Sequence, residues 1–274
     1  TIIDEEQSFG AGGFGSETQF VGRNPNNEAK IAYYMKKKHI FGKMKIEIFN
    51  EEGELVKALP AGKKKGINLV TWDYHLPVPK IATGKTFARG GFAAPTAPAG
   101  EYKVVLTKGK ETFESTLTLK NDPDSALSKR ERRKLQETTM KLYDMTQDLA
   151  YLVYQVDQYL NAAQGSESDE VTAITDKLMA LKETLVITTG DNYVGAAEPQ
   201  LREKIADLYS KITQSFVAPS KSEMQNLALL EDMFDKAKNT YQAMEKSELP
   251  ALTALLEAKQ SKVEIKSFDD FVAE

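Results

Sequence analysis

The chain has 274 residues, 41% of them hydrophobic and 28% charged, with a formal net charge of −4, which is the composition of a folded protein with room for two ordinary domains. The acidic balance argues against a nucleic-acid protein, and two histidines without any cysteine exclude thiol chemistry, disulfides and most transition-metal sites. No apolar run approaches the ~18 residues of a membrane-spanning helix, so we expect no membrane span. From the composition we also expect no metal and no cofactor.

Residues 1–23 are predicted to be a flexible lead-in from an upstream domain. The Gly-rich run Gly10–Gly15 superficially suggests a phosphate-binding loop. However, no strand precedes it and no Lys-Ser/Thr pair follows it, as such a loop requires. A flexible connection is therefore the better interpretation.

Residues 24–121 alternate between apolar and polar side chains and are punctuated by glycine and proline, which predicts strands. Gly53 and Gly109 lie in the tight turns of two predicted hairpins. In the strand predicted over Gly66–Asp73, we place Ile67, Leu69 and Thr71 on one face. About seven such strands predict an Ig/fibronectin-like antiparallel β-sandwich.

Residues 77–98 form a Gly/Pro/Ala-rich segment that is too long for a simple connection. Its Phe87 and Phe92 suggest that it folds over something. Together with Trp72 and Asp73, these aromatics are the candidate ligand contacts, with Trp72 as a carbohydrate platform and Asp73 as its hydrogen-bonding partner. The alternative is that Trp72 belongs to the core and that Asp73 caps the end of its strand.

Residues 125–260 are predicted to form an up-down four-helix bundle, with residues 261–274 as a tail that packs back on the protein. Apolar residues recur in alternating steps of three and four, which keeps one apolar stripe facing a partner helix. The pairs Ser128/Glu131 and Ser220/Glu223 have the spacing of capping boxes, and Pro250 begins a further short helix. The predicted stripes are Leu135, Leu142, Leu149, Val156 and Ala163; Val171, Ile174, Leu178, Leu181 and Leu185; Leu201, Ile205, Leu208 and Ile212; and Leu227, Leu230, Phe234, Ala237, Tyr241 and Met244.

Other polar and aromatic groups each have a structural and a functional interpretation. The clusters Lys36–Lys38 and Lys63–Lys65 either protect strand edges or form a basic patch for acidic glycans or lipid headgroups. His39 and His75 stand 36 residues apart, and no Asp or Glu lies at a ligand-like spacing from both, so we expect no metal site there. Asp122–Asp124 is predicted to be a linker rather than part of a calcium loop. The bundle tyrosines either line a cavity or lie at the edges of the apolar stripes; they are Tyr143, Tyr151, Tyr154, Tyr159, Tyr209 and Tyr241.

The order of short motifs in the first half resembles a known family. The series is Asn24-Pro25, Ile31, Tyr34, Ile46, Ile48, Gly53, Gly66-x-Asn68, Trp72-Asp73 and Ala99-Gly100-x-Tyr102. It is similar to the β-sandwich that follows the propeller in bacterial sortilin-like, BNR-repeat proteins, which are often labelled glycosyl-hydrolase-related. In that family a helical segment follows the sandwich, so the resemblance covers most of the chain. The BNR aspartate box does not occur in this sequence, so no catalytic residue is implied for it.

The resemblance implies a non-catalytic accessory and interaction region of a larger exported, periplasmic or cell-surface protein. Its partner would be an upstream β-propeller of the same polypeptide, with another envelope protein or a glycan as further candidates. The alternative is a carbohydrate-binding module with its site at residues 77–98. A glycoside hydrolase is more remote, because it needs two carboxyl groups about 5–9.5 Å apart and no such pair can be identified from the sequence.

Overall fold

The computed structural model describes residues 2–3, 28–86, 93–123, 125–189 and 197–273. The chain divides into two compact units, which we call the β unit (Thr1–Pro77 and Ala94–Arg132) and the helical unit (Val78–Ala93 and Arg133–Glu274). Residues 78–93 fall within the predicted β region at 24–121, whereas the structure groups them with the helices. Hydrogen bonds to a helix, described below, are the physical reason.

The β unit contains two sheets. Its strands among the described residues are β1 (Ile2–Ile3), β2 (Ala29–Met35), β3 (Met44–Phe49), β4 (Leu55–Pro60), β5 (Gly66–Trp72), β6 (Gly100–Lys108) and β7 (Glu111–Asn121). One sheet has the order β1-β7-β6-β3-β4, and the other pairs β2 with β5. Within the described residues the pairings are antiparallel, apart from that of β1 with β7. The predicted antiparallel strands are therefore confirmed, as are the turns at Gly53 and Gly109, where φ is 83° and 62°.

Both sheets contribute side chains to one core. Ile46, Ile48 and Tyr102 come from the larger sheet, and Ala29 and Trp72 come from the smaller one. In β2, β3 and β5 every second residue points inward because side chains alternate across a strand. In β5 the inward residues include Asn68 and Trp72, so the predicted face of Ile67, Leu69 and Thr71 is the outer one.

The helical unit contains six helices among its described residues. They are α1 (Lys129–Ala162, whose first turn lies in the β unit), α2 (Asp169–Leu185), α3 (Leu201–Thr213), α4 (Lys221–Ser247), α5 (Leu249–Glu257) and α6 (Phe268–Ala273). None of the helices in the described part of the chain is long and apolar enough to cross a membrane. The sequence therefore predicted the order of strands first and helices second correctly.

The apolar stripes of the helices form the core of this unit. All predicted stripe residues of α3 and α4 are buried. Those of the first two predicted helices are buried as well, apart from the partly buried Leu135 and Ile174, and Ala163 lies just beyond the end of α1. Burial of each large aliphatic side chain contributes about 1.5–3 kcal/mol. Between α1 and α2, the Nζ of Lys182 lies 2.5 Å from Oδ1 of Asp157.

The predicted helix starts are also observed. At α4, the Glu223 N–H donates to the Ser220 hydroxyl, and the Glu223 carboxylate accepts from the Ser220 N–H at 2.8 Å. Ser128 and Glu131 make the same exchange at the start of α1. These reciprocal bonds satisfy backbone N–H groups that have no partner inside the helix.

The C-terminal tail packs back on α1, as expected. The Tyr151 hydroxyl donates to the Lys266 carbonyl at 2.8 Å, and the Tyr154 hydroxyl accepts from the Lys266 N–H at 3.2 Å. Phe271 of α6 is buried, with its ring centroid 4.9 Å from that of Tyr154. The tail therefore belongs to the fold of the helical unit.

Candidate functional site

Trp72 lies in the core of the β unit. Its exposed fraction is 0%, and its ring packs edge-on against Tyr102 with centroids 5.3 Å apart. Its indole N–H donates to the His75 carbonyl at 3.3 Å, whereas Asp73 is exposed. Because a carbohydrate platform needs an accessible ring face, Trp72 cannot serve as one in this structure. Phe87 and Phe92, the other two candidate contacts, lie outside the described residues.

The described part of residues 78–93 is hydrogen-bonded to Arg202 of α3. The buried Arg202 guanidinium donates to the Ala82 carbonyl at 2.9 Å and to both the carbonyl and the hydroxyl of Thr86 at 2.7 Å. Its Nε donates to the Glu203 carboxylate at 2.7 Å, and the Thr86 hydroxyl donates to the same carboxylate at 2.8 Å. A buried charge is tolerated only when it is paired and hydrogen-bonded, and this network satisfies that condition. The network is thus structural, and it leaves little of the guanidinium free for a ligand.

Two further contacts hold the ends of the same segment. The Tyr209 hydroxyl donates to the Ala93 carbonyl at 2.7 Å. The Lys80 ammonium donates to the Phe271 carbonyl and lies 4.5 Å from the centroid of the Phe271 ring. The described parts of the segment on either side of residues 87–92 are therefore bonded to helices of the helical unit. Phe87 and Phe92, from which the folding of this loop was predicted, lie outside the described residues.

The two histidines occupy separate strand-end loops. The Nδ1 atom of His75 lies 2.7 Å from the Asp73 carbonyl oxygen, and its ring stacks on Tyr74. The His39 N–H donates to the Lys63 carbonyl at 3.0 Å. In the part of the chain that the structure describes, no group of three or more His, Asp and Glu side chains is placed to hold a metal ion.

Tyrosine rings serve packing in both units. Burial, reinforced by the carboxylates of Glu51 and Glu52, raises the pKa of Tyr102 to about 12. Burial likewise raises the pKa of Tyr209 and of Tyr241 well above its usual range. These hydroxyl groups therefore remain protonated at neutral pH.

Two shallow grooves lie on the described surface. One, of about 520 Å³, lies beside the β3–β4 turn and is lined by residues such as Phe49, Glu51 and Lys103. The other, of about 370 Å³, runs between α2 and α5 and is lined by small or aliphatic residues such as Ile174, Ala254 and Leu255. Neither combines enclosing walls with convergent polar groups, as a small-molecule site does.

Exposed apolar side chains lie on the outer face of the two-stranded sheet. Tyr34 of β2 is 66% exposed, while Ile67 and Leu69 of β5 are 80% and 58% exposed. In the antiparallel register Tyr34 lies opposite Ile67, and Ala32 lies opposite Leu69. The three large side chains thus form one apolar patch, which we call the outer face. Single exposed apolar residues are ordinary, whereas large contiguous apolar patches are typical of interaction sites.

This surface could not be predicted from the sequence because both faces of the sheet are rich in apolar residues. Tyr33 and Val70 point inward, and their neighbours Tyr34 and Leu69 point outward. Alternation fixes which residues share a face, but it leaves open which face is buried when both carry large side chains.

Comparison of the chain with protein families, curated proteins and solved structures finds no match. The similarity to sortilin-like, BNR-repeat proteins therefore stays a prediction based on short motifs.

Proposed function

We propose that this chain is a non-catalytic interaction region of a larger exported protein, in which the β unit docks on a neighbouring folded domain. The observation that carries the proposal is the outer face, where Tyr34, Ile67 and Leu69 lie together in water. Removing apolar surface from water is worth about 25 cal/mol per Å², so docking of this face would be favourable. Aromatic side chains such as Tyr34 are also enriched at protein interfaces.

In this proposal the β unit is an Ig/fibronectin-like sandwich and the helical unit is an up-down four-helix bundle. The shared core of the two sheets supports the first assignment. Four helices with continuous buried stripes support the second. Both architectures serve widely as rigid scaffolds whose function depends on the surfaces they present.

The resemblance to sortilin-like proteins suggests which domain the outer face meets. In that family a β-propeller precedes the sandwich, so the proposed partner is a propeller of the same polypeptide. An exported, periplasmic or cell-surface location belongs to the same proposal. Another envelope protein is the second candidate partner.

A carbohydrate-binding module at residues 77–98 is the weaker alternative. Trp72 was to be its anchor, and this ring is fully buried. The described part of the segment is engaged with α3 through Ala82 and Thr86. No observation on the described residues favours a glycan there.

The size and location of the native protein test the proposal. An antibody raised against this chain would be used to probe fractions of the source cells. A band far above 30.5 kDa in the envelope or exported fraction is the expected result. A band near 30.5 kDa in the soluble cell fraction would overturn the proposal.

A further inference from the structure

Two lysine clusters meet at one end of the two-stranded sheet. β2 ends at Met35, which is paired with Gly66 at the start of β5. Lys36–Lys38 directly follow Met35, and Lys63–Lys65 directly precede Gly66. The two loops are also bonded to each other, because the His39 N–H donates to the Lys63 carbonyl at 3.0 Å and the Lys63 ammonium donates to the Gly42 carbonyl at 2.9 Å.

The positive charge at this end is not compensated locally. Residues 36–43 and 63–65 contain seven lysines and no aspartate or glutamate. Among the ion pairs in the described ranges, none involves a lysine of either cluster. The chain is acidic as a whole, yet this end presents a concentrated positive field.

Two large apolar side chains protrude between the lysines. Ile40 is 69% exposed and Phe41 is 84% exposed, in the loop that joins β2 to β3. Lys36–Lys38 precede them, and Lys43 follows. We call the set Lys36–Lys38, Ile40, Phe41, Lys43 and Lys63–Lys65 the basic tip.

We propose that the basic tip binds the surface of a bilayer that contains anionic phospholipids. Phe41 and Ile40 would enter the boundary between headgroups and acyl chains, and the surrounding lysines would contact the phosphate groups. A soluble polyanion would use the lysines alone and would leave both apolar side chains in water. The proposal concerns a different set of residues from the outer face and does not depend on the docking proposed above.

Sedimentation with lipid vesicles tests the proposal on the full chain. Vesicles of phosphatidylcholine and phosphatidylglycerol at roughly 7:3 should bind the protein, with an affinity that falls as salt is added, and vesicles of phosphatidylcholine alone should not. The triple variant Lys36→Gln/Lys37→Gln/Lys38→Gln should bind roughly a hundredfold more weakly, at about fivefold per lysine. The matched control Lys221→Gln/Lys246→Gln/Lys262→Gln removes the same charge from exposed positions of the helical unit and should bind like wild type.

Substitution of the apolar residues separates a bilayer from a soluble polyanion. Phe41→Ala should weaken vesicle binding about tenfold, whereas Phe216→Ala, which removes another exposed phenylalanine, should have no effect. In the variant Phe41→Trp, brominated lipid should quench the new indole, and the buried Trp72 should be unaffected. The proposal is overturned if wild type fails to bind the anionic vesicles, or if the two triple variants bind alike. It is also overturned if Phe41→Ala binds like wild type, if heparin binding falls equally with this substitution, or if lipid does not quench the indole.

Discussion

A methyl group added at Gly84 should destabilise the helical unit. A Cβ atom there would lie 2.4 Å from Nη1, 2.5 Å from Cζ and 2.8 Å from Nη2 of Arg202. A normal contact of about 3.5 Å requires the guanidinium to move by roughly 1 Å. The bonds of 2.7–2.9 Å to Ala82 and Thr86 would then exceed hydrogen-bond distance.

The expected decrease in the free energy of unfolding follows from the loss of those hydrogen bonds. Each hydrogen bond to a charged group is worth about 1.5–3 kcal/mol, and one or two would be lost. Alanine also lowers the conformational entropy of the unfolded chain, which stabilises the folded state by about 0.4–1 kcal/mol. This gain applies here because φ of Gly84 is not in the left-handed region. We therefore expect Gly84→Ala to lower the free energy of unfolding of the helical unit by about 2–3 kcal/mol.

Urea unfolding followed by far-UV circular dichroism measures this effect, because the helices dominate that signal. The fluorescence of the single Trp72 reports the β unit separately. Thr83→Ala, at the exposed neighbouring position, is the matched control and should stay within about 0.5 kcal/mol of wild type.

A double-mutant cycle tests the stated cause. Arg202→Met removes the guanidinium that the new methyl group would meet, so Gly84→Ala should cost little or nothing in that background. The reasoning would be refuted if Gly84→Ala were as stable as wild type, or if it lowered the free energy of unfolding equally in both backgrounds.

Three further predictions concern other parts of the chain. Because the pKa of Tyr102 is raised to about 12, the folded state keeps a proton that the unfolded state loses above pH ~10; stability should fall by about 1.4 kcal/mol per pH unit between pH ~10 and ~12. Tyr102→Phe should make the fall shallower when unfolding is followed by Trp72 fluorescence, and an unchanged slope would contradict the assignment. Ser220→Ala should lower the free energy of unfolding in urea by about 0.5–2 kcal/mol, because the cap of α4 is lost. Ser222→Ala, at an exposed position of the first turn, is the control, and an equal loss of stability in the two variants would contradict the role of the cap. Phe271→Ala should expose the C-terminal tail to limited proteolysis, and unchanged cleavage would contradict its packing on α1.

The helical stripes could be predicted from the sequence because helix periodicity leaves a single apolar face. Leu149 of α1 and Leu178 of α2 are buried as expected, and Ser220 caps α4 as its spacing indicated. The inward direction of Trp72 could also be predicted, since the core of a β-sandwich needs an aromatic residue.

The engagement of residues 78–93 with α3 could not be predicted. It depends on Arg202 and Thr86, which are 116 residues apart in sequence. An arginine beside a glutamate on a helix usually marks an exposed face, and no local pattern shows that its guanidinium will be buried by a distant segment. The outer face was missed for a different reason, because both sides of β2 and β5 carry apolar residues.

Hydroxyl-radical footprinting of Tyr34 in the native protein tests the central claim, that the outer face is an interaction surface. The oxidation rate of Tyr34 would be compared between this chain alone and the protein purified from its source, with the exposed Phe113 of β7 as an internal control. We expect Tyr34 to be oxidised readily in the isolated chain and to be protected in the native protein, while Phe113 reacts in both. Equal oxidation of Tyr34 in the two samples would contradict the proposed docking.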